Sequence, residues 1–63
     1  MIEVKSNTEL DHVEVLPTKG KVVERVLGKR VEEMILVTVN VDREAYDRAK
    51  ELGIEVICGN VID

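Results

Sequence analysis

Sixty-three residues with Tyr46 as the only aromatic side chain allow one small domain whose core must be built from Val, Ile and Leu. A net charge of -4 excludes a globally basic nucleic-acid module, and the single Cys58 excludes both an internal disulfide and a thiolate zinc cage. No apolar run reaches the ~18 residues of a membrane-spanning helix.

The chain opens on Ile2-Glu3-Val4-Lys5, in which two apolar side chains alternate with a carboxylate and an ammonium. As a strand, it carries Glu3 and Lys5 on one face and Ile2 and Val4 on the other. Met1 therefore leads into a charged strand, not into a basic segment and an apolar signal core, and a reducing cytoplasm is the expected compartment, with Cys58 a buried apolar thiol. Ser6-Asn7-Thr8 supply side chains suited to a turn and to capping a following helix.

Leu10, Val13, Leu16, Gly20, Val23 and Leu27 recur every three or four residues, which is one face of a helix. Pro17 lacks a backbone donor, so that helix is expected to kink near Leu16 or to split, with Thr18 capping a second helix that ends near Leu27 before Gly28. Lys19, Lys21, Arg25, Lys29 and Arg30 could form a local basic patch for nucleic acid, with a solvated helix face as the favoured reading. His12 is read in the same way, as a surface or capping residue.

Met34 to Val39 is an almost unbroken apolar run rich in branched side chains, the pattern of a central strand covered on both faces. Asp42 is placed to cap a helix that buries Ala45, Ala49 and Leu52 and pairs Glu44 with Arg48 on its outer side, and Gly53 ends it. Ile54 to Cys58 reads as a third strand, and Gly59-Asn60 as a turn before the apolar Val61-Ile62.

Strand, helix, strand, helix, strand with crossover-length helices implies a parallel sheet and an α/β fold, a three-layer α/β/α arrangement around a short βαβαβ sheet. Strands 2–5 and 54–58 should flank strand 34–39. The outer edge of strand 2–5 is then free to pair with another chain, and a core this small gains from such a partner, so a homo-oligomer through that edge is expected.

The segment from Ile35 to Ile62, with Ala49-Lys50-Glu51-Leu52-Gly53-Ile54 at the end of its helix and Glu3-Val4-Lys5 on the first strand, resembles the C-terminal core of the restriction-endonuclease-like, or PD-(D/E)XK, nuclease superfamily. Mrr-type and archaeal Holliday-junction-resolvase-like members, and small archaeal domains related to them, are the nearest in pattern. The resemblance implies Glu3 and Lys5 as catalytic residues. Glu3 and the Val4 carbonyl would ligate Mg²⁺, and Lys5 would orient the attacking water or offset charge on the scissile phosphate, as suits a hard cation with oxygen ligands. Complete members carry a helix and a hairpin bearing a further Asp before this strand, and residues 1–63 have no such Asp motif. The expectation is therefore a single truncated domain that is inactive by itself, with nucleic-acid binding as a residual property. A small protein-binding module with no nucleic-acid role is the alternative. Glu9 or Asp11, or a neighbouring subunit, are the other sources of a second acid. Apart from the resemblance, Glu3 and Lys5 read as an opposite-charge pair that blunts an edge strand.

Overall fold

A computed structural model describes all 63 residues. The chain runs β1 (Ile2–Thr8), α1 (Leu10–Glu14), α2 (Leu16–Leu27), β2 (Ile35–Asp42), α3 (Arg43–Glu51) and β3 (Glu55–Ile62). The sheet is parallel in the order β1-β2-β3, as the strand and helix spacing predicts. Ile2 lies beside Ile35, and Ile35 beside Glu55.

The α/β class and the βαβαβ order agree with the expectation. Both crossovers step in the same direction across the sheet, so right-handed connections place all the helices on one face. Under them lie Leu36 and Ile54 of the sheet side, with Val13 from α1, Leu16 from α2 and Ala45 and Ala49 from α3. The opposite face carries Ile2, Val4, Val39 and Ile57, all exposed, with Val4 at 72%. These residues thus form two of the three expected layers, and β2 is covered fully on one face only. Burying Leu36, which has no exposed surface, stabilises the fold by about 1.5–3 kcal/mol.

The helical boundaries follow from single residues. Pro17 cannot donate to the Val13 carbonyl, so the helix splits at Val15, and the second part starts at Leu16 with Pro17 in its first turn. Gly28 closes α2 in the left-handed region at φ 66°, with its N–H on the Glu24 carbonyl at 2.8 Å. Ala45 and Ala49, one turn apart and without exposed surface, let α3 pack closely on the core. Arg48 does not pair with Glu44. It donates to Glu14 on α1 at 2.7 Å and to Glu51 at 3.1 Å, because residues 14 and 48 face each other where α1 and α3 pack.

All three strands run further than the local residue signals suggest. Ser6-Asn7-Thr8 and Gly59-Asn60 are strand, not turns, and Glu9 rather than one of them stands at the start of α1. The ladder is interrupted at Ser6, Val39 and Gly59, which lie abreast, and it resumes in the same register at Asn7, Asn40 and Asn60. Across this level the inward-facing positions move by three residues instead of two: Lys5 to Thr8, Thr38 to Val41, Cys58 to Val61. An extra residue at one level of every strand reverses the alternation while keeping the pairing. Gly59 suits this level because a Cβ there would stand 3.0 Å from the Val39 carbonyl oxygen.

Candidate functional site

The alternation of β1 puts Glu3 and Lys5 on the helix-covered face, both half-buried, and Ile2 and Val4 on the open one, as the sequence pattern predicts. The carboxylate of Glu3 does not stand alone. Its Oε1 accepts a hydrogen bond from Lys19 Nζ, on α2, at 2.7 Å. This pair lies in an open groove of about 430 Å³ between the start of β1 and α2, lined by Met1, Val15, Thr18 and Val22 besides the two charged residues. Lys5 stands beside Thr38 in the ladder and makes no ion pair.

The Ile35 N–H donates to the Met1 carbonyl at 2.9 Å, which fixes the direction of the backbone groups along β1 as far as Lys5. In a strand these groups alternate sides, so ahead of the interruption at Ser6 those of Glu3 and Lys5 are turned to β2, and those of Ile2 and Val4 to the open edge. The Val4 carbonyl is therefore free of the ladder.

Other candidate residues take structural roles. Glu9 and Asp11 lie beyond the far end of β1, and roughly 17 Å of strand at about 3.3 Å per residue separates Glu3 from Thr8, so neither acid shares a site with Glu3 in one protomer. His12 caps α1, with its Nδ1 accepting from the Glu9 N–H at 3.1 Å. The half-buried Cys58 thiol and Thr38 lie abreast on β3 and β2. Asp42 occupies the helix start but makes no side-chain cap bond.

The residue pattern does not single out one feature of the strand ends. Asn60 Nδ2 donates to Asn40 Oδ1 at 3.2 Å, and Asn40 Nδ2 to Asn7 Oδ1 at 3.0 Å, making a carboxamide row across all three strands. Its trace in the sequence is the recurrence of Asn before a β-branched residue, in Asn7-Thr8, Asn40-Val41 and Asn60-Val61. Thr8 and Thr38 lie buried nearby, with Thr8 Oγ1 donating to Thr38 Oγ1 at 2.9 Å and Thr38 Oγ1 donating to the Asn40 carbonyl at 2.8 Å. Two arginines elsewhere are neutralised locally. The guanidinium of Arg43 is held above its usual pKa by its hydrogen bond to Asp63, and that of Arg48 by its hydrogen bonds to Glu14 and Glu51.

A family model described as the PD-(D/E)XK nuclease superfamily matches residues 1–55, which takes in β1 with Glu3-Val4-Lys5, all three helices and β2. The chain belongs to the PD-(D/E)XK nuclease superfamily. No curated protein and no solved structure matches it.

The Mg²⁺ that this superfamily implies can be tested against the donors present. One protomer offers the Glu3 carboxylate and the Val4 carbonyl, and no group of three or more His, Cys, Asp or Glu side chains gathers anywhere in the chain. A lysine ammonium already occupies one oxygen of that carboxylate. Mg²⁺ keeps several waters and is held through one or two free carboxylates, so a lone carboxylate already engaged by an ammonium does not fit it, and this donor set supports no catalytic step through the metal.

Proposed function

We propose that residues 1–63 are a PD-(D/E)XK nuclease-fold module that does not cleave DNA as a single protomer and that assembles with its own copies through the edge of β1. In this reading Glu3 and Lys5 mark the superfamily's metal-binding and charge-stabilising positions, retained on the strand without a full ligand set. The observation that carries it is the 2.7 Å contact of Lys19 Nζ with Glu3 Oε1, in a protomer where no three metal-ligating side chains gather. A cation at that distance competes directly with a divalent metal for the carboxylate.

Incubation with branched and linear DNA in Mg²⁺ or Mn²⁺ tests the proposal. The expected outcome is no cleavage above buffer. Robust cleavage, abolished by Glu3→Ala and by Lys5→Ala, would establish an active nuclease instead.

A protein-binding role without nucleic acid is the second reading, favoured by the net charge of -4 and by the commitment of Lys19, Arg43 and Arg48 to acidic partners. DNA affinity that falls steeply with salt would count against it, because phosphate neutralisation releases counterions.

A further inference from the structure

We infer that a second copy of this chain pairs antiparallel along β1 in one register, centred on Val4, so that Glu3 of each copy faces Lys5 of the other. This rests on the edge-assembly reading above and adds its geometry. The backbone groups of Ile2 and Val4 point outward, ahead of the interruption at Ser6, so Val4 is the central residue able to hydrogen-bond across the edge. A two-fold axis at Val4 makes Val4 exchange both bonds with its own equivalent and sets Ile2 opposite Ser6 of the other copy. Glu3 and Lys5 then form the intervening pairs without backbone bonds, where opposed side chains come closest, about 4.5–5.5 Å between Cβ atoms.

The other symmetric registers are electrostatically poorer. Centring on Glu3 opposes two carboxylates, centring on Lys5 opposes two ammonium groups, and centring on Ser6 brings Glu3 to Glu9 and Lys5 to the uncharged Asn7. Centring on Ile2 leaves Lys5 unpaired. Only the Val4 register gives Lys5, half-buried and without an ion pair in its own protomer, a carboxylate partner.

The helical layer supports the same occupant. Beside the open edge, Val15 and Val22 are exposed along the groove that Glu3 and Lys19 share, and Val26, one turn beyond Val22 on α2, is 77% exposed. A sheet continued by a second copy carries that copy's α2 to the same side of the sheet, where the two valine stripes meet across the axis.

Sedimentation equilibrium of the full chain tests this. The wild type is expected to be a dimer. Glu3→Lys and Lys5→Glu should each weaken self-association by roughly tenfold or more, because each opposes like charges at two symmetric positions. An equimolar mixture of the two variants should form a 1:1 heterodimer, since the substituted lysine at position 3 of one chain then faces the substituted glutamate at position 5 of the other. Circular dichroism of each variant reports whether it is folded. Val4→Pro removes an outward N–H and leaves the β1–β2 ladder intact, so it should give a folded monomer. If Val4→Pro is monomeric but the charge variants dimerise like the wild type, or their mixture is no tighter than either alone, edge assembly stands and the register is wrong. If folded Val4→Pro still dimerises, or the wild type is a monomer at every concentration, edge assembly fails as well.

Discussion

Replacing Thr38 by valine keeps the shape of a buried side chain and removes one hydroxyl, yet that hydroxyl serves two bonds. Thr38 Oγ1 accepts from Thr8 Oγ1 and donates to the Asn40 carbonyl, and Thr8 and Thr38 are 1% and 4% exposed. Thr38→Val loses both bonds, at about 0.5–1.5 kcal/mol each, and strands the Thr8 hydroxyl in the core, which costs about 1–3 kcal/mol more. Even with the added methyl offsetting part of this, a net loss of about 2–4 kcal/mol is expected. Thr8→Val removes only a donor and leaves Thr38 bonded to Asn40, so about 0.5–1.5 kcal/mol is expected. In the Thr38→Val background, Thr8→Val should be neutral or stabilising, because it removes the stranded group. Urea denaturation of the four proteins at one fixed concentration measures the cycle, and a 63-residue domain of about 3–9 kcal/mol total stability makes the difference readable. Equal losses from the two single substitutions, or additive losses in the double variant, would refute this account of the sheet interruption beside Lys5.

Leu36→Ala, at the central strand's fully buried position, should cost about 2–5 kcal/mol and leave the chain largely unfolded in mild urea, read by the loss of far-ultraviolet dichroism. Gly59→Ala drives a Cβ to 3.0 Å from the Val39 carbonyl oxygen, so a loss of about 1–3 kcal/mol is expected in the same denaturation assay. By contrast, Lys19→Met should change stability by no more than about 1 kcal/mol, since both partners of its ion pair keep contact with solvent.

The sheet order was legible because each strand is an apolar run bounded by helix signals, and Pro17, Gly28 and Gly53 mark breaks that depend only on backbone chemistry. The far ends of the strands were not. Ser6-Asn7-Thr8 and Gly59-Asn60 have the composition of turns, but pairing to β2 on either side overrides that local preference, and only the assembled sheet shows the three interruptions to be level. For the site, alternation along Ile2-Glu3-Val4-Lys5 correctly places both charges on one face. Lys19 as the partner of Glu3 was not legible, because sixteen residues and a helix break separate them and nothing in α2 distinguishes Lys19 from Lys21 before the helix is docked. For the same reason local spacing points Arg48 to Glu44 within its helix rather than to Glu14 on another.

The most direct test of the central claim is a calorimetric titration of the wild-type chain with Mn²⁺, which probes the metal site without requiring a substrate. With Glu3 held by Lys19 and no cluster of three ligating side chains in the chain, no saturable binding is expected at millimolar metal. Saturable binding that disappears in Glu3→Ala would contradict it and establish a metal site on β1.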